Sequence, residues 1–304
     1  MRNKIFMIIS FLAAVLIVSS CLKDDIGEDW TSSLKGKMYA EFPNNGPQVK
    51  VIQPVAEDQI FKFLVNIATD ALPTTDITLT FAVDPPAMAD YNDEIQAADT
   101  SIHWSYELYP SIEILDPTLT IKAGTRNAYV HVKLSRGDTI RLGAKYMAPV
   151  TITSVTGTTV IAENKKTVLY KLPVANKWEG TYKMKGYILR NDPFDPVLSG
   201  YYTGRTYKLG TSGPNSVTFN KTISWGDSES NTVGGIGPWM ITISEGSVPN
   251  PIIISDATNP AVVNLPSYNN RYDPETKTFF MSVYWGTGPT NRATTDTLVY
   301  SGPY

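Results

Sequence analysis

Cysteine and histidine are almost missing from this chain of 304 residues, which has one cysteine, Cys21, and two histidines, His103 and His131. That scarcity removes disulfide frameworks, thiolate metal clusters and most arrangements in which histidine serves as base or ligand. Neither histidine stands in HExxH or any other ligand spacing, so metal catalysis and a histidine triad lack their residues. His131 falls on the polar face of a strand as a surface residue; His103 sits beside Trp104 and Tyr106 in a loop bounded by proline. No glycine-rich phosphate loop and no Asp-x-Asp-x-Asp-Gly calcium loop occurs, so neither metal nor cofactor is expected. Clustered positive charge is also lacking. With 26 basic and 29 acidic residues the formal charge is −3, or −5 once Arg2 and Lys4 are removed, which argues against a nucleic-acid partner. Beyond Val18 there is no long apolar run, so the sequence predicts no membrane span.

What the chain does have begins at its N-terminus. Arg2 and Lys4 precede an apolar run from Ile5 to Val18, and Val18-Ser19-Ser20-Cys21 closes it with small residues. This is the pattern of a secretory signal, residues 1–20, too short for a comfortable span. The closing tetrapeptide resembles a bacterial lipobox, which implies acylation of Cys21 and anchoring in the outer-membrane lipid. Each buried methylene of such an anchor contributes about 0.8 kcal/mol. Residues 21–33 read as a flexible acidic leader. Within it, Lys23-Asp24-Asp25 is similar to the export signal of Bacteroidetes surface lipoproteins, which implies a protein facing the cell exterior.

From Gln48 onward the pattern is short alternating strands with turn punctuation. Ile77, Leu79, Phe81 and Val83 alternate with Thr78, Thr80 and Ala82, and Val130, Val132 and Leu134 alternate with Tyr129, His131 and Lys133. Gln59 to Ala68, Ser111 to Leu115, Leu119 to Lys122, Pro149 to Ser154 and Thr167 to Leu172 add strands, and Ala87 to Ala98 is the one helical insert. These features predict an all-β protein. Residues 34–173 form an Ig-like Greek-key β-sandwich, followed over 174–304 by an antiparallel meander or barrel-like (lipocalin-like) β-domain.

The runs Ile77 to Asn92, Leu119 to Tyr129 and Tyr146 to Ser154, followed by Trp178 to Tyr182, Tyr272 to Phe279 and Arg292 to Tyr300, resemble two-domain Bacteroidetes surface lipoproteins of polysaccharide utilisation loci. The resemblance implies capture of a glycan at the cell surface, without catalysis, beside a porin and its lid lipoprotein.

The residues themselves place the ligand surface in the C-terminal domain. Val217, Phe219, Ile223 and Trp225 share one strand face, as do Trp239, Ile241 and Ile243, and Phe279, Met281, Val283 and Trp285. If the strands from Val217 to Trp285 make a five-strand meander, Trp225, Trp239 and Trp285 reach one rim and offer indoles to pyranose faces. Tyr268, Asn269, Asn270, Arg271 and Arg292 supply polar groups for sugar hydroxyls. Carboxylates concentrate in turns such as Asp192-Pro193 and Asp273-Pro274, which argues against a glycosidase pair. The rival expectation is a structural or adhesive lipoprotein with protein partners. Exposed indoles favour sugar; buried indoles with an unpaired strand edge favour assembly.

Overall fold

The computed structural model describes residues 36–191, 195–196, 199–219, 237–256 and 258–303. The signal segment, the leader with Cys21, and Trp225 lie outside the described residues. The N-terminal strands are β1 (Tyr39–Glu41), β2 (Gly46–Val49), β3 (Gln59–Ala68) and β4 (Ile77–Val83), after which comes the helix α1 (Pro85–Ala98). There follow β5 (Glu107–Leu108), β6 (Ile112–Ile114), β7 (Thr118–Ile121), β8 (Asn127–Leu134), β9 (Tyr146–Val155), β10 (Val160–Ile161) and β11 (Thr167–Leu172).

One sheet runs β10-β1-β3-β8-β6 and the other β2-β11-β9-β4-β7, with β5 added to β9. Period-two alternation turns Phe63, Val65 and Ile67 of β3 and Val130, Val132 and Leu134 of β8 inward, against Ile77, Leu79 and Phe81 of β4 and Val150 and Ile152 of β9. The two-sheet sandwich is therefore present. Helix α1 starts where Asp84 caps it, its Oδ1 accepting from the Ala87 N–H at 3.1 Å, with Pro85 and Pro86 in the first turn. Buried Asn92 ties α1 to the chain beyond it by bonding both the N–H and the carbonyl of Tyr106.

The second half contributes β12 (Gly180–Arg190), β13 (Gly200–Gly213), β14 (Ser216–Phe219), β15 (Trp239–Ile243), β16 (Asn250–Asp256), β17 (Val263–Asn264), β18 (Arg271–Asp273), β19 (Thr278–Tyr284) and β20 (Arg292–Gly302). Each pairs antiparallel with its sequence neighbour from β12 to β16. Both β17 and β18 pair with β19, and together they act as one interrupted strand between β16 and β19. Strand β20 pairs with β19 and with β12, which closes an up-and-down barrel. The expected meander is thus a closed barrel.

Its interior is filled. Met184, Ile188, Leu209, Val217, Ile241, Ile254, Met281 and Leu298 face inward with their neighbours in one apolar cluster. One end is plugged by rings packed edge-on or tilted: Trp178 meets Tyr272 edge-on at 6.3 Å, Tyr272 meets Phe279 at 4.6 Å, and Tyr182 meets Phe279 at 5.6 Å and Tyr300 at 5.5 Å.

Candidate functional site

The meander does bring Trp239 and Trp285 to the same end of the barrel, because β15 begins where β19 finishes. Their indoles, however, are not a platform. Trp239 is 1% exposed and Trp285 4% exposed, both in the barrel core, and Trp239 meets Phe219 edge-on at 5.9 Å. The expectation of a sugar-stacking rim is corrected for these two, since a tryptophan that continues an inward stripe gains more by burial than by facing water.

The polar residues expected beside them do not converge there either. Asn270 is buried in the excursion between β17 and β18, where its Oδ1 accepts from the Ser282 N–H at 2.6 Å and its own carbonyl accepts from the Ile252 N–H. It is a structural bridge. Arg271 lays its guanidinium over the Phe280 ring at 4.0 Å and donates to the Asn269 carbonyl at 3.1 Å. Tyr268 and Asn269 belong to the same excursion, on the barrel wall. Only Arg292 is at the tryptophan end, where it starts β20 with its carbonyl accepting from the Trp285 N–H.

The surface that does gather aromatic, cationic and hydroxyl groups lies on the outside of β13, β12 and β20. Register places Tyr201 opposite Tyr187 and Tyr187 opposite Thr295, and it places Lys185 opposite Thr297. Residues of that parity face away from the core. Tyr201 is 79% exposed and its ring centroid lies 4.5 Å from that of Tyr187, tilted by 49°. A groove of about 660 Å³ is lined by these two tyrosines with Lys185, Thr203, Arg205, Thr295 and Thr297.

A bulge shapes this groove. Between the pairs Met184–Arg205 and Gly186–Tyr202, β12 contributes one residue, Lys185, and β13 contributes two, Thr203 and Gly204. Gly204 takes φ +68°, a left-handed conformation that glycine adopts without a Cβ penalty. An extra residue on one strand bends it and increases its twist, and the bend falls where the outer face is concave.

Directly beneath the groove, on the inner side of the same strands, Asp296 is 1% exposed. Burial pushes its carboxyl up to about 7, while hydrogen bonds from Tyr202 and Thr294 pull the other way. The Thr294 hydroxyl lies 3.0 Å from both carboxylate oxygens, and the Tyr202 hydroxyl donates to Oδ1. A Cβ on Gly186 would collide with that carboxylate and approach the Tyr202 hydroxyl to 2.7 Å, so only glycine leaves room for the pair.

Elsewhere, Trp104 is 37% exposed, edge-on to Tyr106, with the Lys145 ammonium 4.3 Å from its ring. His103 beside it is exposed, and His131 pairs with Asp116, Nδ1 to Oδ2 at 2.6 Å. No group of three or more metal-ligating side chains occurs among the described residues.

Comparison with known proteins fits this architecture. A protein-family model described as "-like, N-terminal domain" matches residues 34–159. A structure of unknown function from Bacteroides ovatus superposes with a TM-score of 0.58 at 14% identity, covering 88% of this chain and 95% of that one. An auxiliary nutrient binding protein from Bacteroides thetaiotaomicron gives 0.47 at 12% identity, covering 84% and 90%. No curated protein matches. In fold, the chain is similar to that Bacteroides ovatus structure over 88% of its length.

Proposed function

We propose that this protein is a non-catalytic carbohydrate-binding protein. It captures polysaccharide at the outer-membrane surface, held there by lipid on Cys21 and working beside a porin and its lid lipoprotein. The observation that carries the reading is the Tyr187–Tyr201 pair in an open groove. A pyranose has one apolar face, and an exposed phenol offers it a ring to stack on and a hydroxyl to bond. Thr203, Thr295 and Thr297 supply hydroxyls that both donate and accept. No carboxylate is among the residues lining the groove, so the two-carboxylate machinery of a glycosidase has no partners there, which supports retention over cleavage. Closure of the barrel leaves it no open end strand for strand addition, while the two sandwich sheets end in β10 and β6 and in β2 and β7, where the rival assembly reading would have to act.

Calorimetric titration with soluble polysaccharides tests the reading, and the expected Kd lies between about 1 μM and about 1 mM. Tyr201→Ala should weaken binding by about tenfold, equivalent to about 1.4 kcal/mol, and Trp104→Ala should leave it unchanged. Shortened oligosaccharides appearing by chromatography would make the protein an enzyme. Binding that survives Tyr201→Ala but disappears with Trp104→Ala would move the site to the sandwich.

A further inference from the structure

The three strands that build the groove are charged in one direction. β12, β13 and β20 carry Lys183, Lys185, Arg190, Arg205, Lys208 and Arg292, and a single acid, Asp296. That acid is buried beneath the sheet and is held toward its neutral form. So these strands hold six of the 26 basic residues and one of the 29 acidic ones, leaving 20 basic against 28 acidic on the rest of the chain. Of the six, Lys183, Lys185 and Lys208 alternate with the inward-facing Tyr182, Met184, Tyr207 and Leu209 and so project from the outer face, where these strands carry no acid, whereas Arg190, Arg205 and Arg292 share the parity of the inward Ile188, Met184 and Thr294.

Geometry focuses the charge on the groove. Lys183 and Lys185 are two residues apart on one face of β12, a spacing of about 7 Å. The Lys183 ammonium bonds the Thr206 hydroxyl at 2.7 Å, which leaves its charge uncompensated. Neither Lys183 nor Lys185 forms an ion pair among the described residues, whereas Lys122, Lys133, Arg141, Lys165, Lys166 and Lys177 all pair with carboxylates. The register continues the row from Lys185 through Thr297 and Phe280 to Arg271, whose guanidinium lies on the Phe280 ring.

Resting on the carbohydrate reading above, we propose that the groove selects an anionic polysaccharide. Its carboxylate or sulfate groups meet Lys185 and Lys183 while a sugar ring stacks on Tyr201. The alternation of cations with Thr203, Thr206, Thr295 and Thr297 suits a polymer bearing both charges and hydroxyls. A single tyrosine pair, in contrast to a succession of platforms, suits one ring at a time and not a run of bases.

Matched pairs of polymers separate the possibilities: polygalacturonate against its methyl ester, and a sulfated galactan against its unsulfated counterpart, with single-stranded DNA as a non-sugar polyanion. At least one acidic member should bind about tenfold more tightly than its neutral partner. That advantage should shrink as salt rises from about 0.1 to about 1 M, where the Debye length falls from about 10 to about 3 Å. Lys185→Gln should weaken the acidic member severalfold and by more than its neutral partner, and Lys185→Glu should weaken it further. Selectivity in the first pair alone identifies a uronate, and in the second alone a sulfate ester. Equal binding of acidic and neutral members, still lost with Tyr201→Ala, would overturn the anionic inference and leave the carbohydrate reading standing. Binding of DNA alone, or of no polymer, would overturn both.

Discussion

Asp256 and Asp296 are carboxylates on the barrel wall with 5% and 1% exposure, yet their environments drive them in opposite directions. Burial raises both. Asp256 accepts from the N–H groups of Gly237, Thr258 and Asn259 and from the Thr258 hydroxyl, at 2.6 to 2.9 Å, and this fan of donors outweighs burial and lowers it. Asp296 has two hydroxyl donors, Tyr202 and Thr294, and burial wins. The folded chain therefore keeps a proton on Asp296 up to about pH 7, whereas the unfolded chain releases it near 3.8, the ordinary value of an aspartate. Its stabilising contribution is complete below the unfolded value and fades as pH rises toward and through 7. Asp296→Asn keeps the shape and removes the titration. Denaturant unfolding at several pH values should show the variant flat, relative to wild type, from about pH 4 to 7, with wild type losing stability on the order of a few kcal/mol over that window. Parallel pH profiles for the two proteins would refute the assignment. This pair was not legible in the sequence, because Asp296 sits in an ordinary alternating strand and only the register brings Tyr202 against it. The exposed tyrosine does leave a signal in the sequence: in a strand, Tyr201-Tyr202 must send one ring to solvent. The tryptophans carry no such signal, since the largest apolar ring is the one an inward stripe buries first.

The elements show which motifs serve the fold. Strands β3, β4 and β11 fall where alternation put them, over Gln59–Ala68, Ile77–Val83 and Thr167–Leu172. The interruption between β17 and β18 could not be read this way. It depends on Asn264, whose side chain substitutes for a strand by bonding the Ile252 carbonyl at 2.7 Å and the Ile254 N–H at 2.9 Å. The sequence motifs around Trp178 and Tyr272, which carried the resemblance, build the ring plug at the barrel end. Tyr182 crosses that plug to donate to the Trp178 carbonyl at 2.8 Å. Asp273 makes the turn by accepting from the Glu275 N–H at 2.9 Å and the Thr276 hydroxyl at 2.8 Å. These residues shape the molecule and lie apart from the groove on β12, β13 and β20. Trp178→Ala should therefore cost about 3 to 5 kcal/mol of barrel stability, measured by denaturant titration, and leave ligand affinity unchanged where the variant is still folded. A loss of affinity in the folded variant would show that the plug end contributes to binding.

At the scale of the molecule, two apolar cores that share no residue meet at a joint without slack. The Ala175 N–H donates to the Ile52 carbonyl of the sandwich at 2.9 Å, and the next residue, Asn176, donates its N–H to the Thr211 hydroxyl of the barrel at 2.8 Å. Asn176 is 6% exposed, and its side chain donates to the carbonyls of Gly213 and Ser216 at 3.0 and 2.7 Å and accepts from the Trp178 N–H at 3.0 Å. Three bonds from one buried amide fasten the start of β12 to the β13–β14 hairpin, so the barrel and not the sandwich depends on it. Replacing Asn176 with alanine leaves two carbonyls and one N–H buried without partners, at about 1 to 3 kcal/mol for each group that water cannot reach. Separate cores unfold as separate units unless their interface is large. Scanning calorimetry of Asn176→Ala should therefore show the barrel transition moved down by several degrees and the sandwich transition in place. If both transitions move together, the joint couples the two cores into one cooperative unit, and the groove on β12, β13 and β20 then depends on the sandwich for its stability.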